Sequence, residues 1–159
     1  MEDKIKQIET LFLEFLPLYH QNFGVVFRDQ DGLSTRCTKN QKRAILLIKK
    51  RQGVTSSELG QCLDMRKGSL TTLLDSLESM GLVERCPDVI DRRRTQLYLT
   101  PDGETYFDRM MARHGQLFHS LFSALSDDDL DKCLTGMADI VTIMKKLQQE
   151  APHGIHKTT

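Results

Sequence analysis

The stretch TSSELGQCLDMRKGSLTTLLDSLESMG, residues 55–81, predicts two helices joined by a short turn. Thr55 followed three residues later by Glu58 is a capping-box pattern, in which each side chain bonds the other residue's backbone N–H at a helix start. The second apolar pattern ends at Gly81, as a helix C-terminus should. Leucines of the two segments can pack across a turn around residues 63–65: Leu59, Leu63, Leu70, Leu73 and Leu74. The stretch therefore predicts a helix-turn-helix.

Two short strands are predicted directly after these helices. LVERC (residues 82–86) and TQLYL (residues 95–99) alternate apolar and polar residues and flank the loop 87–94. The two strands therefore predict a β-hairpin, or wing, after the two helices. Its tip is cationic because the loop contains three adjacent arginines at 92–94.

Further helices are predicted on both sides of this core. An apolar stripe runs from Ile5 to Tyr19, and Thr38 with Gln41 forms a capping box for a helix over about 39–51. Two more helices follow Thr100-Pro101 and Ser126. The predicted fold class is therefore mainly α with a small β-wing, that is, a winged helix-turn-helix domain plus N- and C-terminal dimerisation helices.

We expect four segments. They are an N-terminal dimerisation helix (1–30), the winged helix-turn-helix DNA-binding domain (38–100), C-terminal dimerisation helices (101–149) and a disordered tail (150–159). A homodimer is expected because the apolar stripes of the first and the last two helices are wider than one small domain can bury.

Charge is distributed unevenly along the chain. The formal net charge of the 159 residues is zero, but Arg36 to Arg94 holds 13 basic against 7 acidic residues, an excess of +6. The remainder carries −6. A cationic block between acidic ends favours an anionic partner.

The polar face of the second helix of the pair is the candidate reading surface. Arg66, Lys67, Ser69, Thr71 and Thr72 point away from the leucines, and a helix of this kind fits the major groove of DNA. The wing arginines suit the minor groove, and Asp91 is close enough in sequence to pair with Arg93 and hold it. The candidate DNA-binding residues are Thr55, Ser56, Arg66, Lys67, Ser69, Leu70, Thr71, Thr72, Asp91, Arg92, Arg93 and Arg94.

The wing also carries a family resemblance. DRRRTQLYLTPDG (residues 91–103) resembles the MarR family signature D-x-R-x-x-x-[aliphatic]-x-L-T-x-x-G, and GSLTTLLDSLESMGLVER (residues 68–85) is similar to that family's recognition helix and first wing strand. The signature positions are filled by Asp91, Arg93, Leu97, Leu99, Thr100 and Gly103. The resemblance implies a homodimer that binds a palindromic double-stranded DNA operator, usually represses a nearby gene, and releases DNA on sensing a small aromatic or lipophilic effector or an oxidant. It leaves the effector-binding residues unassigned.

Other classes of function are less well supported by the sequence. The chain has no Gly-rich phosphate loop, GxSxG or HExxH motif, so we expect no enzyme. The four cysteines form no CxxC pair and the histidines no zinc-ligand spacing, so no metal and no cofactor are expected. The charged N-terminus and the absence of an apolar run of about 20 residues predict a cytoplasmic protein without a membrane partner.

Two alternatives of related fold remain open. One is a redox-sensing regulator: Cys37 follows the cationic Arg36, whereas Cys62 and Cys133 fall on apolar stripes and are predicted to be core. The other is a winged-helix protein-interaction module that does not bind DNA.

Overall fold

The computed structural model describes residues 1–24, 37–88 and 94–150. Within these residues the elements follow the order α1 (Glu2–Phe23), α2 (Lys39–Arg51), β1 (Val54–Thr55), α3 (Ser56–Leu63), α4 (Lys67–Ser79), β2 (Val83–Pro87), β3 (Thr95–Leu99), α5 (Pro101–Phe122) and α6 (Asp127–Glu150). The chain divides into two compact units, Met1–Leu117 and Phe118–Thr159. The predicted fold class and the predicted order of helices and hairpin are confirmed.

Both predicted capping boxes are present. The Thr38 hydroxyl accepts a hydrogen bond from the backbone N–H of Gln41, and the Gln41 side chain accepts one from the backbone N–H of Thr38. The same reciprocal pair joins Thr55 and Glu58 at the start of α3. Because each box satisfies two backbone donors that a helix start otherwise leaves open, these pairs fix where α2 and α3 begin.

The strands form a three-stranded antiparallel sheet in the order β1-β3-β2. β1 was not predicted, because a strand of two residues is too short to show an apolar–polar alternation. Val54 of β1 and Arg85 of β2 both lie opposite Leu97 of β3. The wing is therefore joined to the segment that precedes α3 as well as to its own hairpin partner.

The core lies between α2, α3, α4, the sheet and the first half of α5. Leu97 from the sheet and Met110 from α5 are fully buried with Ile45, Ile48, Leu59, Leu74 and Leu77. Gly103 lies directly against Leu82, so that a Cβ at this position would stand 2.0 Å from the Leu82 carbonyl oxygen. The Thr100 hydroxyl, 2.5 Å from the Gly81 carbonyl oxygen, closes the same joint between the wing and α5.

Two helices have no buried residue at all. All of α1 and all of α6 are described, and every residue of both is exposed or half-buried. In the part of the chain that the structure describes, no helix is long and apolar enough to cross a membrane. The predicted segment 1–30 extends past the last described residue of α1, and residues 151–159 of the predicted tail also lie outside the described residues. The segment boundaries stay predictions.

Candidate nucleic-acid interface

α3 and α4 form the predicted helix-turn-helix. The chain turns at Asp64, which adopts a left-handed conformation with φ 52°, and the backbone N–H of Met65 donates to the Gly60 carbonyl at 3.0 Å. The leucines predicted to pack the two helices together are all buried: Leu59, Leu63, Leu70, Leu73 and Leu74. This packing turns the opposite face of α4 toward solvent.

The outward face of α4 carries most of the predicted helix contacts. Arg66, the N-cap residue, and Lys67, Ser69, Thr71 and Thr72 are all exposed. Leu70 is a correction to the candidate set, because its side chain is 5% exposed and packs in the core. The Leu70 side chain lies next to Gly60 of α3, so it belongs to the buried face of α4 and not to the outward one.

Thr55 and Ser56 lie at the start of α3 and are half-buried. The Thr55 hydroxyl donates to the Glu58 carboxylate at 2.7 Å and accepts from the Glu58 backbone N–H at 3.3 Å. Because both of its roles are filled inside the capping box, the Thr55 hydroxyl has a structural function in the helix start.

The Glu58 carboxylate lies in a cationic setting. Hydrogen bonds from the backbone and the hydroxyl of Thr55 lower the pKa of Glu58 below its ordinary value, slight desolvation opposes them, and the charges of Arg94 and Arg51 lower the pKa further. The hydrogen bonds of the capping box are therefore the main reason that the pKa of Glu58 is lowered. The charges of Arg94 and Arg51 therefore act on the first turn of α3 as well, although more weakly than the capping box does.

The wing tip is described in part. Arg94 is exposed at the base of β3, whereas Asp91, Arg92 and Arg93 lie outside the described residues. The pairing of Asp91 with Arg93 stays a prediction.

The base of the wing is closed by polar contacts on one side of β3. The backbone N–H of Asp88 donates to the Arg94 carbonyl at 2.9 Å, and the Gln96 amide donates to the Asp88 carboxylate at 2.5 Å. The Tyr98 hydroxyl donates in turn to the Gln96 side-chain oxygen. Next to it, Gly53 has φ +85° and a Cβ there would lie 2.7 Å from the Tyr98 hydroxyl. The wing base is thus packed against the turn that follows α2.

Arg85 joins the wing to α4, the candidate reading helix, and this role was not predicted from the sequence. Its guanidinium lies 2.8 Å from Asp75 Oδ1 and 2.6 Å from Glu78 Oε2, both on α4. Two signals could have pointed to it: the alternation along β2 puts Arg85 on the same side as buried Val83, and the two acids are three residues apart on one helix face. We call this contact the Arg85 clasp.

A polar contact also links α2 to α4. The Gln41 amide donates to the Ser76 hydroxyl at 2.9 Å, and the Gln41 side chain is 7% exposed. Since a buried amide without a partner is costly, this bond fixes how α2 lies across the reading helix.

The cysteines differ from the prediction. Cys37, considered as a candidate sensor, is 2% exposed, whereas Cys62 and Cys133, predicted to be core, are half-buried like Cys86. The helical stripes that carry Cys62 and Cys133 are covered incompletely, and the start of α2 is packed more deeply than its polar sequence indicates.

Comparison with known proteins agrees with this architecture. A model of the MarR family matches residues 32–94. The multiple antibiotic resistance protein MarR of Salmonella typhimurium is 29% identical over 151 residues, which cover 90% of this chain and 99% of the relative.

Solved structures show the same fold. Wild-type apo MarR from E. coli superposes with a TM-score of 0.66 at 25% identity, covering 78% of this chain and 94% of that chain. FabT of Streptococcus pneumoniae, crystallised in complex with DNA, gives a TM-score of 0.60 at 20% identity and covers 92% of this chain and 98% of its own. Curated relatives include proteins named as transcriptional regulators or repressors, among them the repressor MdtR of Bacillus subtilis, which is 25% identical over 93 residues. In its helix-turn-helix, its wing and its sequence, the chain is similar to the MarR family of winged-helix transcription regulators.

Proposed function

We propose that this protein is a homodimeric repressor that binds a palindromic double-stranded DNA operator and releases it when a small aromatic or lipophilic effector binds. The observation that carries the proposal is the outward face of α4. Arg66 and Lys67 stand exposed at its start, and hydroxyl side chains continue along it. A helix with long cations and short polar groups on its free face suits the major groove, where both phosphates and base edges are in reach.

The wing supplies the second part of the proposed interface. Arg94 is exposed and its charge acts on Glu58 in the first turn of α3, and the chain carries Arg92 and Arg93 directly before it. Cations on a narrow ribbon favour the minor groove, where the potential is most negative. FabT, which has the same fold, has been crystallised with DNA, and this supports duplex DNA as the partner.

Dimerisation is proposed from the exposed apolar faces. α1 exposes large side chains along its length, with Ile8 65% and Leu11 64% exposed, and α6 exposes Leu134 at 72% and Ile140 at 50%. Monomeric soluble proteins rarely leave contiguous apolar faces of this kind in water. A second copy of the chain is the partner that we propose to cover them, as the family resemblance implies.

Effector release is proposed from the family resemblance. The alternative of oxidation at Cys37 has less support, because a thiol that is 2% exposed is poorly accessible to an oxidant. The other three cysteines, Cys62, Cys86 and Cys133, are half-buried. Cys62 lies in α3 and Cys86 in β2, within the segment predicted as the winged helix-turn-helix domain.

The test is duplex binding as a function of salt. Duplexes enriched from a random library by the wild-type protein are titrated at several salt concentrations by fluorescence anisotropy. We expect log Kd to rise steeply with log salt. Arg66→Gln or Lys67→Gln should reduce the slope by about 0.9 for each phosphate that the variant side chain no longer neutralises.

Lys145→Gln removes the same charge from α6, a helix that is not proposed to contact DNA, and is the matched control, so its slope should equal that of the wild type. A salt-independent affinity, or enrichment of no duplex, would contradict DNA binding and favour the protein-interaction module.

A further inference from the structure

Two neighbouring threonines on the outward face of α4 have their hydroxyl groups turned onto the helix backbone. Thr71 Oγ1 donates to the Lys67 carbonyl at 3.0 Å, and Thr72 Oγ1 donates to the Gly68 carbonyl at 3.2 Å. Both side chains are exposed, and both stand beside the cations at the helix start. Neither hydroxyl hydrogen is therefore available to a base unless a bond within the helix breaks.

This orientation decides what each threonine presents to a partner. The Cβ of threonine carries one hydroxyl and one methyl group. With the oxygen held against a backbone carbonyl, the methyl group becomes the outer part of the exposed side chain. A threonine in this state cannot donate to guanine N7 or O6, or to thymine O4, while it keeps its helix bond.

One base edge in the major groove offers an apolar match. Thymine carries a C5-methyl group there, and a threonine methyl is among the groups that contact it. On this basis we infer that Thr71 and Thr72 determine sequence specificity by packing their methyl groups against thymine methyl groups in each operator half-site. The inference rests on the proposed function, since it requires α4 to lie in the major groove.

The remaining polar groups of the face have a different task. Arg66 and Lys67 carry long cationic side chains that can reach the phosphates on either side of the groove. They supply affinity, whereas methyl contacts discriminate between thymine and the other bases. The division predicts that substitutions at the two threonines change the preferred sequence while leaving the salt slope unchanged.

The experiment uses the full chain and the duplex enriched by the wild-type protein. At each position, threonine is replaced by valine, which keeps a methyl group and the branched shape but has no hydroxyl, and by serine, which keeps the hydroxyl but has no methyl. Each variant is titrated with the thymine duplex and with duplexes in which single thymines are replaced by deoxyuridine, which lacks the C5-methyl group. Circular dichroism checks that both variants of each pair are folded.

We expect Thr71→Val and Thr72→Val to retain the wild-type affinity within about twofold. Each serine variant should bind about fourfold more weakly per half-site, the equivalent of one buried methyl group. Deoxyuridine at the contacted thymine should weaken wild-type binding by a similar factor and should not weaken the serine variant further.

Three results would overturn the inference. The first is weaker DNA binding by the valine variants with wild-type affinity in the serine variants, which would indicate a hydroxyl contact. The second is an equal loss of affinity in the valine and serine variants. The third is a wild-type affinity that does not change when deoxyuridine replaces thymine. Failure of the proposed function looks different, because then no duplex is enriched and no salt-dependent affinity remains to compare.

Discussion

Gly103 lets the wing and α5 approach each other at the main chain. The first turn of α5 lies against Leu82, and the Thr100 hydroxyl bonds both the Gly81 carbonyl and the Gly103 backbone N–H. The space between the main chain at Gly103 and the Leu82 carbonyl group has room only for the hydrogen atom of glycine. The position matters because residues 81 and 82 connect the end of α4 to β2, the first strand of the wing.

Gly103→Ala should destabilise the protein by about 1–3 kcal/mol, because the new methyl group overlaps the Leu82 carbonyl and forces the backbone apart. The measurement is the free energy of unfolding from urea titration by circular dichroism. Gly115→Ala in the same helix is the control: nothing lies within 4 Å of a Cβ there, and a gain of about 0.5–1 kcal/mol is expected. Equal changes at both positions would show that the contact with Leu82 relaxes at little cost.

Among the elements, α4 and the hairpin have to keep a fixed relation if both are to contact one duplex. The Arg85 clasp spans them with two carboxylates, and Leu97 packs from the sheet into the same core. Ion pairs this exposed stabilise a fold by only about 0.2–1 kcal/mol. We therefore expect the clasp to act mainly by orienting the wing relative to α4.

Arg85→Met should lower operator affinity about tenfold while the free energy of unfolding falls by no more than about 1 kcal/mol. Arg85→Lys keeps the charge but cannot contact two carboxylates with one planar group, so it should bind more like the methionine variant than like the wild type. Anisotropy titration and urea unfolding measure the two quantities.

The double variant Asp75→Asn with Glu78→Gln separates orientation from charge. Removal of two negative charges from α4 itself should strengthen DNA binding if bulk electrostatics decide the affinity. If the clasp orients the wing, its removal should weaken DNA binding instead. A tighter complex from the double variant would refute the orienting role of Arg85.

For the whole molecule, the proposed dimerisation depends on the two exposed helices α1 and α6. α6 carries an apolar stripe on which Met137, Ile140, Val141 and Met144 are each about half exposed, and none of its residues is buried within the chain. α1 has the same property within its own unit. In a dimer these apolar faces would be buried from solvent, and the α4 helices of the two copies could bind the two half-sites of one palindromic operator.

Ile140→Asp should convert the dimer to a monomer in sedimentation velocity at micromolar concentration, because an aspartate in an apolar interface loses its hydration without gaining a partner. Operator affinity should fall at least tenfold, while the circular dichroism spectrum stays helical. Thr142→Asp adds the same charge outside the stripe and should leave the dimer intact. A monomeric wild type, or two variants that sediment alike, would contradict the proposed interface.

Features that depend on neighbours a few residues apart could be predicted from the amino-acid sequence alone. The helix starts at Thr38 and Thr55 follow from hydrogen bonds between residues three apart, and the wing follows from alternation along strands of five residues. The order of the helices and the hairpin followed from the same local patterns. Local hydrogen bonding and periodicity leave a direct trace in the chain, which is why these predictions succeeded.

Which side chains are left for a partner depends instead on the folded arrangement. Arg85 reaches a carboxylate ten residues away, β1 exists because β3 lies beside it, and Cys37 is buried as part of the hydrophobic core. Leu70 and Thr71 are adjacent in the chain, yet the first packs in the core and the second faces water. Such outcomes depend on strand register and on which helix faces meet, and these are set by packing between distant segments that a local pattern does not encode.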